Sequence, residues 1–245
     1  MVIKAVIFDY IGTLVEPTNY TLQESKIKLH NALCQAGLTT NIDEFMDAYT
    51  KTHEKYRIIR YEQLKEVTNA IWVSEALTNI QCPTTLGDAR LKEGLNVFFQ
   101  DFVDSLKLRP YAKRLIKKAS EYFKIGLVSN FTYAPAIHAS LRKLHIDKFF
   151  NAIVISEAIG WRKPHGIIFK EVLRALNIKP EEAVLIGDSP TEDINGAKTV
   201  GMRTIFVASS FNPLINVEKH YEKPDLIFKD LEQIYLNLPE IINGF

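Results

Sequence analysis

Val2-Ile-Lys-Ala-Val-Ile-Phe8 runs without a break into Asp9-Tyr-Ile-Gly-Thr-Leu14. The first seven residues are almost continuously apolar and rich in β-branched side chains. That is the composition of a strand buried on both faces of a parallel sheet. A carboxylate then ends the strand, and Gly12-Thr13 offers a tight turn. Similar apolar runs recur at Ile125-Gly-Leu-Val128, Ala152-Ile-Val-Ile155, Ala183-Val-Leu-Ile186 and Thr204-Ile-Phe-Val207, with a weaker one at Asp225-Leu-Ile-Phe228. Helical periodicity separates them over residues 134–144, 167–176 and 191–200, and again near 231–238. Strand alternating with helix predicts a doubly wound parallel sheet, a Rossmann-like α/β core.

Between the first two strands the pattern changes. Leu22, Ile27, Leu29, Leu33 and Ala36 precede Gly37, a C-terminal cap candidate. Ile42, Phe45, Tyr49 and His53 continue the period, followed by Val67, Ile71, Val73 and Leu77, then by Leu91, Leu95, Phe98 and Phe102. These stripes predict an inserted helical bundle over residues 16–107, with the sheet core formed by 1–15 and 108–245. Pro17 and Pro110 fall near the two hinges. Tyr20, Tyr56, Arg57, Arg60 and Trp72 read as packed or solvated faces of those helices.

The composition, 47% hydrophobic and 24% charged, excludes a disordered or fibrous chain. A formal charge of +1 offers no general attraction to nucleic acid or to an anionic membrane. The first nine residues are too short for a signal peptide, and no later run is long and apolar enough for a span. Two cysteines, Cys34 and Cys82, fit ordinary thiols in a cytoplasmic protein. The histidines, His220 among them, show no pair at metal-ligand spacing. His165 reads as the opening of a helix. A monomer or small homo-oligomer is expected.

Four segments fall just past the carboxyl end of a predicted strand, the edge where open parallel sheets bind ligands. One is Asp9 and its Gly-Thr turn. Another is Ser129-Asn130, a hydroxyl and an amide able to hydrogen-bond an anionic oxygen. In Gly160-Trp-Arg-Lys-Pro164, Lys163 offers a fixed positive charge. In Gly187-Asp-Ser-Pro-Thr-Glu-Asp193, Ser189 and Glu192 have capping-box spacing, and Pro190 suits the first helical position. Asp188 then ends a strand while Asp193 rises from the first helical turn. Two carboxylates so placed suggest a hard cation such as Mg²⁺ between them. Singly, each segment also has a plain reading: a loop acid, a Ser-Asn turn, a solvated lysine, an acid-rich helix start.

Together the four segments resemble the haloacid dehalogenase superfamily. Asp9, Ser129, Lys163 and the Asp188/Asp193 pair match its motifs in order and in strand context, and the inserted helices match the position of its cap. The resemblance implies that Asp9 attacks the substrate to form an aspartyl intermediate, while Ser129 and Lys163 hold the transferring group. For phosphatases of the family it also implies Mg²⁺ on Asp9, the Ile11 carbonyl and Asp188, supported by Asp193. The expected partner is a small anionic substrate.

Ile11 departs from the pattern, because family phosphatases usually place a proton-donating Asp there. General acid–base help is worth about 10²–10⁴-fold, so esters with poor leaving groups should turn over slowly. Two other readings stay open. The family's metal-independent 2-haloacid dehalogenases also lack that acid, and a ligand-binding or regulatory protein could keep the fold with weakened catalysis. Phosphonate hydrolysis would need a cap lysine, for which Lys26, Lys28 and Lys55 are candidates. Charge favours the metal-dependent phosphatase: three acids against one lysine repel an anion unless a divalent cation enters.

Overall fold

The computed structural model describes residues 2–215 and 223–244, so His220 lies outside the described residues. The chain opens with β1 (Ala5–Phe8) and β2 (Val15–Pro17), then forms α1 (Leu22–Gln35), α2 (Ile42–Glu62), α3 (Asn69–Asn79) and α4 (Ala89–Ser105). It returns through β3 (Leu106–Leu108), α5 (Ala112–Ser120), β4 (Lys124–Ser129), α6 (Ala134–Lys143), β5 (Ala152–Ile155) and α7 (Ser156–Ile159). It closes with α8 (Gly166–Leu176), β6 (Ala183–Gly187), α9 (Asn195–Thr199), β7 (Arg203–Val207), β8 (Leu226–Phe228), α10 (Leu231–Leu236) and α11 (Leu238–Asn243). Two compact units result. One comprises residues 1–16, 107–131 and 141–245; the other comprises 17–106 and 132–140.

The first unit is a six-stranded sheet in the order β5-β4-β1-β6-β7-β8, parallel throughout. The opening strand lies inside it, hydrogen-bonded on both sides, with Phe8 opposite Leu127 on β4 and Ile186 on β6. Ala5, Val6, Ile7 and Phe8 are all fully buried, which is why that run carries no polar alternation. Ala5 and Ile7 pack with Ile168, Phe169, Val172, Leu173 and Leu176 of α8. Burying each such side chain is worth about 1.5–3 kcal/mol, so this one helix face holds a large part of the core. The expected role of His165 holds: its Nδ1 accepts from Ile167 N at 3.3 Å and caps α8. Asn177, in the left-handed region at φ 52°, ends it.

The second unit is helical, with α4 against α1 and α3 against α2. Leu91, Leu95, Phe98 and Phe102 form the buried stripe of α4. Gly94 lets α1 approach, because a Cβ there would meet a Leu33 methyl at 2.9 Å. Leu22, Ile27 and Ile42 were expected in the apolar stripes but are exposed. Leu22 and Ile42 are the first residues of their helices, before the face that packs is established. Val67 precedes α3 rather than continuing it. Tyr20 packs edge-on to Phe102, Trp72 is buried, and Tyr56, Arg57 and Arg60 bond Glu75, Glu54 and Glu66. The short β2–β3 pair had no sequence signal, being three residues on each strand. Among the described residues both cysteines are free, and no helix is long and apolar enough to cross a membrane.

Candidate active site

Parallel register carries the chemistry to one edge of the first unit. Asp9 follows β1, and its N–H extends the ladder to Ile186 O at 2.9 Å. Ser129 ends β4 opposite Ile155, and Asp188 follows Gly187 at the end of β6. The chain then makes a wide π-helical turn over Pro190–Ile194, opened by Ser189, whose hydroxyl accepts from Glu192 N at 3.1 Å. Such widened turns often accompany functional sites. Here the turn buries Asp193 completely, with its Oδ2 accepting from Ser189 N at 3.0 Å.

Asp9, Asp188 and Asp193 are all buried, and each offers an oxygen within 4.8 Å of the others. Lys163, only 2% exposed, reaches this group. Its ammonium donates to Asp9 Oδ1 at 2.5 Å, to Asp193 Oδ1 at 2.6 Å and to Val128 O at 3.3 Å. The second Asp9 oxygen, Oδ2, is buried and has no hydrogen-bond partner among the described residues. A bare carboxylate oxygen beside two more acids is what a hard cation or an electrophile accepts. The donor set is all oxygen, which suits Mg²⁺.

Three carboxylates against one ammonium leave a formal charge of −2 in this pocket. Burial alone would lower the Lys163 pKa, but Asp193 and Asp9 outweigh it and hold the ammonium above its ordinary range. Burial pushes the Asp193 carboxyl up to about 8, opposed by Lys163 and reinforced by Asp9 and Asp188. Asp188 is raised as well, first by burial and then by Asp9, against bonds from Ser209 and Asn212. The negative charge of Asp9 contributes to all three shifts.

Two glycines make the approach possible. Gly12 has φ 98°, and a Cβ there would stand 2.4 Å from Asp188 Oδ2. A Cβ on Gly187 would meet the Asp193 side chain at 2.6 Å. Any other residue at either position would displace an acid of the cluster.

Sequence reasoning placed Asn130 beside Ser129 as a substrate-binding group. The structure gives its side chain other work. Oδ1 accepts from Lys163 N at 2.7 Å, while Nδ2 donates to Lys163 O and Glu192 Oε2, both at 3.0 Å. Both amide hydrogens are committed, so Asn130 holds the Lys163 peptide in place. Glu192 in turn accepts from buried Arg162 at 3.2 Å. Ser129 is buried at the strand end, and Ile11 is half-buried with its backbone bridged to Val15.

Asp188 also has partners the sequence did not single out. Thr13 Oγ1 donates to its Oδ1 at 3.3 Å, and Ser209 Oγ and Asn212 Nδ2 donate to its Oδ2 at 2.5 and 3.2 Å. Ser209 follows the apolar run of β7, so the strand-end rule that found Asp9 would also have found it. Asn212 carries no comparable signal.

Against known proteins, the haloacid dehalogenase-like hydrolase family model matches residues 3–201. A glyceraldehyde 3-phosphate phosphatase of Pyrococcus furiosus is 36% identical over 132 residues, 54% of each chain. The one from Methanothermobacter thermautotrophicus is 29% identical over 240 residues, covering 95% of this chain and 98% of that one. Among solved structures, a 2-haloacid dehalogenase from Pseudomonas syringae pv. Tomato DC3000 superposes with TM-score 0.67 at 20% identity, over 99% of both chains. At that identity the likeness is one of fold.

Proposed function

The chain belongs to the haloacid dehalogenase-like hydrolases, and from that premise we propose that it is a Mg²⁺-dependent phosphatase using Asp9 as its nucleophile. The carrying observation is the excess of buried carboxylate around Lys163. A metal-free site with a formal charge of −2 repels a phosphate dianion, whereas a divalent cation removes that barrier. The phosphatase names of the relatives over half and nearly all of the chain support the same reading.

Asp9 Oδ2 attacks phosphorus, the bond from phosphorus to the leaving oxygen breaks, and an aspartyl phosphate forms. Water then hydrolyses it and returns the carboxylate. Lys163 holds Asp9 Oδ1 at 2.5 Å, so the free oxygen is fixed in position while the ammonium offsets charge on the transferring group. Ser129 supplies a hydroxyl at the same sheet edge. Asp9, the Ile11 carbonyl and Asp188, with Asp193 in support, would hold the cation, which would supply charge neutralisation for the incoming phosphate.

Acetyl phosphate and p-nitrophenyl phosphate, whose leaving groups need little protonation, test this directly, with glyceraldehyde 3-phosphate as the third substrate. Phosphate release with Mg²⁺ should fall about 100-fold or more on chelation, the several kcal/mol a metal contributes. Turnover indifferent to EDTA would reject the metal role. Halide release from 2-chloropropionate in metal-free buffer would move the assignment to dehalogenation. Phosphonate hydrolysis has less support, since two of its three candidate lysines, Lys28 and Lys55, sit in exposed ion pairs with Asp101 and Glu75.

The leaving oxygen of an alkyl phosphate must gain a proton, and Ile11 has none to give. Ile11→Asp is therefore expected to raise kcat on glyceraldehyde 3-phosphate by about 10-fold or more, within the range of general acid catalysis. Acetyl phosphate should gain little. Equal changes on both substrates would show that the missing proton is not what limits the alkyl ester.

A further inference from the structure

Asp188 takes its donors from two loops far apart in sequence, Thr13 after β1 and Ser209 with Asn212 after β7. One side chain spans both loops. Arg109 Nη1 donates to Gly12 O at 2.5 Å and Thr13 O at 3.3 Å, and Nη2 donates to Ala208 O at 2.5 Å. Its backbone N–H is bonded to Leu14 O at 2.9 Å. Glu16 closes the far side: its Oε1 lies 3.7 Å from Arg109 Nε and accepts from Ser210 N at 3.2 Å. The arginine is 11% exposed and touches none of the three acids' carboxylates in these bonds.

We infer that Arg109, backed by Glu16, is a positioning residue that clamps these two loops and so sets the orientation of Asp188 for cation binding. The physical reason is the shape of the guanidinium. It presents five N–H groups in a rigid planar fork, so one side chain can bridge carbonyls on separate loops. The carbonyls it holds flank the residues that matter: Gly12 and Thr13 on one loop, Ala208 directly before Ser209 on the other. Ser209 Oγ donates to Asp188 while accepting from Phe211 N at 3.1 Å and Asn212 N at 2.9 Å, so its place depends on that loop's backbone. Gly12 already stands where a single added carbon would strike Asp188. A shift of either loop therefore turns the carboxylate. A lysine would keep the charge but not the two-armed bridge.

The inference rests on the cation site of the proposed function, and two measurements keep the ideas separable. Mg²⁺ binding, read by isothermal titration without substrate, should weaken about 10-fold or more in Arg109→Lys and Arg109→Ala, the usual size of an outer-shell effect on metal affinity. With saturating Mg²⁺, kcat should recover to within a few-fold, giving a split between the Mg²⁺ requirement and kcat. Arg174→Ala, in an exposed pair with Glu171, is the control and should bind as wild type does. Hydrogen exchange in metal-free protein is the second readout. Amides of residues 12–16 and 208–212 should lose protection together in Arg109→Lys. If Arg109→Ala does not fold, the lysine variant decides alone. Wild-type Mg²⁺ affinity, or loosening confined to one loop, in Arg109→Lys would overturn the inference. Joint loosening in a protein that binds no Mg²⁺ would uphold the clamp while removing its metal role and the phosphatase reading with it.

Discussion

Asp9→Asn is expected to abolish phosphate release, lowering kcat by at least about 10⁴-fold, as removal of a covalent nucleophile does. The amide keeps the size of the carboxylate but cannot attack phosphorus, and it gives up one negative charge. The fold should survive the change. Lys163 keeps Asp193 at 2.6 Å and Val128 O at 3.3 Å, and the pocket's formal charge falls from −2 to −1. The variant should therefore melt within a few degrees of wild type while losing turnover. Mg²⁺ affinity should fall as well, because one ligand oxygen loses its charge. The check is a pair of measurements: phosphate release under saturating Mg²⁺, and thermal unfolding in its absence. A stable variant that retained a tenth of wild-type turnover would remove Asp9 from the chemistry altogether.

The placement of Asp9 was readable because two levels of the molecule agree. A run buried on both faces has no polar alternation, so Ala5–Phe8, Ile125–Val128 and Ala183–Ile186 stand out as strands without any partner being known, whereas Val2, read as part of the first run, is exposed ahead of β1. Parallel pairing then brings every strand's carboxyl end to one edge, which is why residues as distant as Asp9 and Asp188 could be grouped from pattern alone. Lys163 and Asp193 were found by the same rule, each lying in the segment after a strand. Other features were hidden because their cause is not local. Asn130 has the chemistry of a substrate ligand. Only the fold reveals that Lys163 and Glu192 take up its hydrogen-bonding groups. The Arg109 bridge crosses nearly a hundred residues in each direction and has no periodic signature. Leu22 and Ile42 show the reverse limit, since an apolar residue at a helix start fits the period yet remains exposed.

Lys163→Met should be the most damaging single change to the pocket's stability as well as to its chemistry. Methionine fills similar space, so the loss isolates the charge. Without the ammonium, three buried carboxylates face one another at a formal −3. Breaking a buried ion pair by removing one partner typically costs about 3–5 kcal/mol. Part of that is relieved here, because burial already pushes the Asp193 carboxyl up to about 8, and without Lys163 it would hold its proton more tightly. A net loss of about 2–3 kcal/mol remains, which for a chain of this length lowers the melting temperature by about 4–12 °C. Catalysis should fall about 10²–10³-fold even where the protein is folded, since a preorganised charge on the transferring group is gone. The two effects come apart in the double variant Lys163→Met with Asp193→Asn. Removing the acid's charge along with its partner returns the pocket to −2, so most of the lost stability should come back. Turnover should not. A double variant as unstable as the single one would mean that packing around the lysine stem, not its charge, holds the pocket together. Wild-type turnover in either variant would show that phosphate is held by other groups.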